Sequence, residues 1–299
     1  MKTILITGGS GLIGSTLQQK LISKGYTVFI LSRQKSDNSN SFYWDIEKNE
    51  IEDEAILKAD FIIHLAGAGI ADKRWTETRK KELIESRVNS ANLLLKKVKE
   101  LNPTLEGFIA ASGIGYYGGI TSEKIFSEDD NAGTDFISKI CQLWEQASLK
   151  FQQESIRTVI LRTGVVFSKK GGALEKIKQP IQLGVGAALG SGSQYIPWIH
   201  IEDLCNLYIE AIENNNFKGV YNAVAPEHCN NKQLTKTIAN ILNKSIWLPN
   251  VPSFLLKLAL GKMSVIILEG SRVSSEKAKK IGFKFKFPTV KEALINLKP

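Results

Sequence analysis

Residues 3–24 read TILITGGSGLIGSTLQQKLISK, and this stretch decides the fold. Thr3 to Thr7 form a short, β-rich apolar run, and a helical pattern follows that reaches about Lys24. Between them stands Gly8-x-x-Gly11-x-x-Gly14. Glycine has no Cβ, so the chain can turn tightly and a phosphate can approach its backbone. The helix start near Leu12 offers unpaired N–H groups and the positive end of its dipole. As an isolated pattern these glycines are weak; between a strand and a helix they predict a dinucleotide-phosphate loop running from Thr7 to Gly14. Gly25 then stops the helix and TVFILSR reads as a second buried strand, which completes a βαβ unit.

That second strand ends in Leu31, Ser32, Arg33, where an NAD protein normally carries an acidic residue for the ribose 2′-hydroxyl. No carboxylate is present. Arg33 offers a guanidinium fork to a 2′-phosphate and Ser32 a further hydrogen bond, so the expected cofactor is NADP(H) in preference to NAD(H), with Lys35 close enough to assist.

Further strands are predicted at DFIIHLAG, LEGFIAAS, IRTVILRTGVVF and GVYNAVA, alternating with long helices at roughly 76–101 and 134–154. Alternation of this kind means α/β architecture, a Rossmann-type doubly wound parallel sheet, since parallel neighbours need crossovers of about a dozen residues or more. After Phe167 the chain turns glycine-rich, as in KKGGAL and LGVGAALGSGSQ. This suggests an NADP-binding domain over residues 1–167, continued by 198–225. A second, smaller C-terminal α/β domain, expected to bind substrate, takes 168–197 and 226–299. Within it Phe283, Phe285 and Phe287 alternate with Lys284 and Lys286, which predicts a strand with its rings turned inward.

The chain is 43% hydrophobic and 23% charged, a balance that excludes long disorder and fibrous classes. Its net charge of +9 is spread along the sequence with no DNA- or RNA-binding signature, so a solvated basic surface is expected and no nucleic-acid partner. Three widely separated cysteines, Cys141, Cys205 and Cys229, fit neither a disulfide framework nor a metal site. No signal-peptide pattern opens the sequence and no uncharged run reaches membrane-spanning length, so a cytoplasmic protein without membrane contact is expected.

TGGSGLIG at the N-terminus, HLAG at 64–67 and the Ser-then-Tyr segment SGIGYYGG at 112–119 together resemble the extended short-chain dehydrogenase/reductase superfamily. The runs RWTETRKKELIESRV, Trp144-Glu145, LRTGVVFSKKGGAL, PWIHIEDL, VPSFLLKLALGKM and GFKFKFPTVKEAL narrow the resemblance to its atypical branch of epimerase family proteins. The resemblance spans essentially the whole chain. It implies that Gly8, Ser10, Gly11, Leu12, Ile13 and Gly14 form the phosphate loop. It also implies that Asp45 and Ile46 flank the adenine, and that Leu65, Ala66 and Gly67 lie beside the ribose. Nucleotide sugars are the implied substrate class, and superfamily members commonly form homodimers through helices of the main domain.

Typical members carry Tyr-x-x-x-Lys, in which the tyrosine is the acid/base and the lysine, one helical turn on, lowers its pKa. None of the seven tyrosines here has Lys four positions later. On the helix where the pair belongs, the chain offers Phe136, Ile137, Ile140 and Cys141. Ser112 and Tyr117, or its neighbour Tyr116, are the remaining catalytic candidates; packed rings and a turn serine are the bland alternatives. Arg74, Trp75 and Arg162, with Arg87, are candidates to hold an anionic substrate, and Trp198 and His200 to line its cleft. His64, inside an apolar strand, reads as hydrogen-bonded core. Two functions compete. One is an NADP-dependent oxidoreductase or nucleotide-sugar epimerase; the other is a non-catalytic NADP(H)-binding sensor that has lost the proton shuttle. The glycine-rich loop from Gly184 to Gly192 favours the first, since it suggests a second ligand.

Overall fold

The computed structural model describes residues 1–298. Its strands are β1 (Thr3–Thr7), β2 (Thr27–Ser32), β3 (Ser41–Asp45), β4 (Glu50–Ile51), β5 (Phe61–His64), β6 (Gly107–Gly113), β7 (Ile125–Phe126), β8 (Arg157–Thr163), β9 (Val165–Phe167), β10 (Trp198–His200), β11 (Gly219–Ala223) and β12 (Arg272–Val273). Its α-helices are α1 (Leu12–Ser23), α2 (Asp53–Leu57), α3 (Glu77–Leu101), α4 (Phe136–Gln153), α5 (Ala173–Gln182), α6 (Ile201–Glu213), α7 (Asn231–Ile241), α8 (Ser253–Leu260), α9 (Val265–Leu268), α10 (Glu276–Lys280) and α11 (Val290–Asn296).

One sheet of eight strands runs in the order β11-β8-β6-β5-β1-β2-β3-β4. All its pairings are parallel except β3 with β4, which closes one edge. Chain order reverses between β1 and β5, and a crevice opens beyond the carboxyl ends of the strands at such a switch point. The apolar runs of β1, β5 and β6 are buried on both faces because helices cover both. Ile4, Ile6, Ile63 and Ile109 pack with Leu17 and Leu21 of α1 and Leu204 and Tyr208 of α6. Leu5, Ile62, Phe108 and Ala110, one residue out of phase, pack with Leu93, Leu94 and Val98 of α3 and Phe151 of α4.

Three smaller clusters of buried residues lie off this sheet; the least of them is Tyr117, Phe126, Val224 and Val273, and the other two carry more half-buried apolar residues around them. In one, Phe167, Leu174, Ile181 and Trp198 meet Leu234, Ile238, Phe287, Val290 and Leu294, so the segment between β9 and β10 is packed against the C-terminal third of the chain. In the other, Trp75, Leu83 and Ile140 are covered by Met263, with Phe136, Ile137, Leu260, Val265 and Ile266 around them. The segment 260–266 thus lies across the start of α4.

The sequence reading misses β3, whose Phe42 and Trp44 are buried in the sheet, and it errs at residues 283–287. Phe283 and Phe287 are buried and Lys284 and Lys286 exposed, as expected, but the segment forms no strand. The N–H groups of Lys286 and Phe287 donate to the two carboxylate oxygens of buried Asp203 at 2.8 and 2.9 Å, so a side chain takes the place of a neighbouring strand.

Candidate functional site

The turn from β1 into α1 is built from backbone. Gly8 adopts φ +70°, and its carbonyl accepts from the Gly11 N–H at 3.1 Å. A Cβ on Gly14 would stand 2.4 Å from that same carbonyl, so the first helical turn can sit against the loop only with glycine there. Gly11 is the N-cap residue and brings no side chain to cap α1, and Ser10 and Gly11 are exposed. The first N–H groups of the helix, at Leu12 and Ile13, therefore face outward at its positive end, the arrangement that takes an anion.

Thr7 joins this turn to the neighbouring one. Its Oγ1 accepts from the N–H groups of Leu65 and Ala66, both at 3.1 Å, and lies 2.8 Å from His64 Nδ1. With two donors already on the oxygen, the Thr7 proton must go to Nδ1. His64 Nε2 then carries its own proton toward Ser90 Oγ at 3.1 Å, and that hydroxyl donates onward to Ser86 O. Burial holds the His64 pKa down at about 4, so the ring is neutral as this pattern requires. Below the same loop the buried Arg87 donates to Leu83 O and Ala68 O at 2.8 and 2.9 Å and stacks on Trp144. A Cβ on Gly67 would meet its guanidinium at 3.0 Å.

At the end of β2, Arg33 is exposed and forms no ion pair among the described residues. Ser32 Oγ accepts from the Gln34 N–H at 3.0 Å, and the Lys35 ammonium lies over the Tyr43 ring. Asp45 Oδ1 accepts from the N–H groups of Lys48 and Glu47, which hold its carboxyl below the usual range. Ile46 is half-buried against the sheet core.

Ser112 is the penultimate residue of β6, and its hydroxyl donates to Glu145 Oε1 at 2.7 Å. Glu145, on α4, also receives both arms of Arg162 from β8, Nε on Oε1 and Nη2 on Oε2, each at 2.9 Å. Serine, carboxylate and guanidinium are all at most 4% exposed. Arg162 Nη1 donates to the Tyr117 hydroxyl at 3.0 Å, so that hydroxyl sends its proton to Asn222 Oδ1 at 2.7 Å. The Tyr116 ring stacks on the guanidinium. Burial raises the Tyr117 pKa to about 12. A phenol so placed is a structural hydrogen-bonding group and a poor proton shuttle.

The face of α4 expected to carry the tyrosine and lysine is a packing surface. Ile137 fills the space beside Gly115, where a Cβ would come within 2.2 Å of it. Four residues on, Cys141 is fully buried, its thiol pushed up to about 12 by that burial. The segment 260–266 covers Phe136 and Ile140 from outside.

The candidates for substrate contact are dispersed. Arg74 is exposed but clamps the end of α8, donating to Leu258 O at 2.8 Å and Ala259 O at 3.0 Å. Trp75 is buried, with its indole N–H on Ile70 O. The structure corrects the placing of Trp198 and His200 in a cleft: both are 1% exposed. Trp198 stacks on Phe167 and donates to Glu227 O, while His200 Nδ1 caps α6 by accepting from the Glu202 N–H. Their apolar neighbours in the sequence signalled core. The glycine-rich loop is held by its own chain, Leu189 N–H on Asn231 Oδ1 and Gly190 N–H on Val251 O.

Glu145 and Asn222 are the members of the buried cluster for which the sequence reading proposes no role. The available signal was charge out of place: Arg162 sits in an apolar strand and Glu145 on the apolar face of a helix, and buried charges must be paired.

The fold and the glycine turn define a Rossmann dinucleotide-binding protein. Residues 4–224 match the model of the NAD dependent epimerase/dehydratase family, and residues 251–297 match a domain of unknown function, DUF1731. The chain belongs to the NAD dependent epimerase/dehydratase family. It is 35% identical over 303 residues to the Epimerase family protein SDR39U1 homolog, chloroplastic, of Arabidopsis thaliana, covering 98% of this chain and 85% of that one. The crystal structure of human epimerase family protein SDR39U1 (isoform 2) with NADPH superposes with a TM-score of 0.87 at 30% identity, over 99% of this chain and 98% of that one. The nucleoside-diphosphate sugar epimerase from Corynebacterium glutamicum gives a TM-score of 0.81 at 27% identity, over 98% of this chain and 57% of that one. Among the described residues no helix is long and apolar enough to cross a membrane.

Proposed function

We propose that the chain binds NADP(H) in preference to NAD(H) and acts as an oxidoreductase or epimerase on a small molecule of the nucleotide-sugar class. The observation that carries the cofactor reading is the end of β2, where half-buried Ser32 and exposed, cationic Arg33 stand without a carboxylate, beside an uncapped helix N-terminus. The glycine turn fits such a group, since side chains at Gly8 or Gly14 would collide with neighbouring backbone and push the turn out of shape. The NADPH of the human relative agrees with the same reading. When bound, the cofactor supplies hydride chemistry at its nicotinamide. In this reading Ser10, Gly11, Leu12, Ile13 and Gly14 hold the pyrophosphate, Leu65, Ala66 and Gly67 flank the ribose, and Asp45 and Ile46 flank the adenine. Ser112 faces the nicotinamide end. Residues 168–197 and 226–299 form the unit that closes on the substrate. The sugar-nucleotide class follows from the name of the Corynebacterium relative. A reducing compartment such as the cytoplasm suits three free, buried cysteines. Titration of the protein with NADPH and NADH, read by nicotinamide fluorescence, tests the cofactor reading, and equal affinities refute it.

A second reading has its own observation. The α4 face expected to carry the acid/base is apolar and covered by 260–266, which favours a non-catalytic NADP(H) sensor. Incubation with NADPH or NADP⁺ and a panel of nucleotide sugars separates the two, because tight cofactor binding without turnover or epimerised product supports the sensor.

A further inference from the structure

The cluster around Ser112 has a direction. Glu145 Oε1 accepts from Arg162 Nε and from Ser112, and Oε2 accepts from Arg162 Nη2. A guanidinium only donates, so the two carboxylate oxygens can only accept, and Glu145 is ionised. The single proton of the Ser112 hydroxyl is therefore committed to Glu145. What remains on Oγ is lone-pair capacity. The neighbouring Cys141 is a buried thiol pushed up to about 12, so it brings no thiolate charge to compete for that proton.

We infer that Glu145, held by Arg162, fixes Ser112 as a hydrogen-bond acceptor toward the ligand at the nicotinamide end of the cleft, so that the site selects a hydroxyl over the corresponding carbonyl. This rests on the proposed function, which places a ligand against the end of β6. A serine free to rotate donates to a carbonyl or accepts from an alcohol as needed. Here the carboxylate removes the first option, and a carbonyl oxygen would face lone pairs. Glu145 and Arg162 are positioning residues, acting through Ser112.

Neutron diffraction from a deuterium-exchanged crystal of the NADPH-loaded protein locates the proton directly. A deuteron on Ser112 Oγ aimed at Glu145, with none on the carboxylate, is the expected result. A deuteron on Glu145, or one on Ser112 turned away from it, overturns the inference. If NADPH does not bind, the cofactor reading fails, and a crystal of the protein alone still answers the question. Calorimetry then measures selectivity with UDP-glucose and its 4-keto counterpart. The wild type is expected to favour the hydroxyl form about tenfold, the effect of one mismatched hydrogen bond. Ser112→Ala, which leaves the Glu145–Arg162 pair intact, is expected to bind both alike. Glu145→Gln, where it folds and the same neutron map shows its amide N–H turned to Oγ, frees the serine proton and reverses the preference. Equal binding by the wild type, or a preference that survives Ser112→Ala, overturns the inference. Failure of both sugars to bind refutes the proposed substrate class, and the deuteron position decides the polarity of Ser112.

Discussion

The turn from Thr7 to Gly14 and the cluster around Ser112 both stand at the carboxyl end of the parallel sheet, but they are made from different materials. The first is backbone, shaped by positions where a Cβ would collide, and the hydrogen bond that closes it, Gly11 N–H to Gly8 O, spans three residues. The second is side chains drawn from β6 and the turn after it, α4, β8 and β11, up to 105 residues apart in the chain for the Tyr117–Asn222 hydrogen bond. A backbone site tolerates change wherever glycine is kept. A buried side-chain network depends on every member, because each lost partner leaves another polar group uncompensated.

Removing one charge tests this dependence most severely. Glu145→Ala leaves the Arg162 guanidinium buried without its carboxylate, and a loss of about 3–5 kcal/mol is expected in urea unfolding, the range for a broken buried pair. A loss near zero would show that the cluster is loosely held.

The tie between β1 and β5 responds to pH. Below the ordinary histidine value of 6.5 the unfolded chain binds a proton at His64 that the folded chain refuses until about pH 4. The stabilisation is fully present above the first value and declines by about 1.4 kcal/mol per pH unit as pH falls toward the second. His200, also lowered to about 4 by burial, adds to the slope. Unfolding curves of the wild type and His64→Asn, which keeps an acceptor for the Thr7 hydroxyl without a titrating ring, are expected to diverge in this window. Parallel curves would mean that His64 is protonated in the folded protein.

Arg33→Ala is expected to weaken NADPH binding about 10- to 100-fold, the worth of charge-assisted hydrogen bonds at about 1.5–3 kcal/mol, and to leave NADH nearly unchanged. Equal losses for both cofactors would move the 2′-phosphate contact elsewhere.

The smallest effect is expected at Arg74. Arg74→Ala removes hydrogen bonds to the end of α8 at the surface, costing about 0.5–1.5 kcal/mol in unfolding and leaving NADPH affinity as it is. A large loss of ligand binding would restore Arg74 as a substrate contact.

The sequence by itself determined the βαβ start, the glycine turn, the strand that ends in Arg33 and the two long crossover helices. Each of these is written locally, in periodicity and in residues whose backbone freedom is needed where they stand. It also registered that no tyrosine is followed four positions later by lysine. Only the tertiary structure decided why. Ile137 and Cys141 occupy that helical pair because Gly115 and the segment 260–266 pack against the helix, the latter from more than 100 residues away in the chain. The same holds at residues 283–287, where the alternation of phenylalanine and lysine was read correctly and the strand was not, since Asp203, some 80 residues earlier, takes the N–H groups a neighbouring strand would have used. Glu145 and Arg162 each look anomalous in sequence, a charge among apolar neighbours. Their meaning lies in the pairing, and a pairing across a sheet and a helix is a property of the folded chain alone.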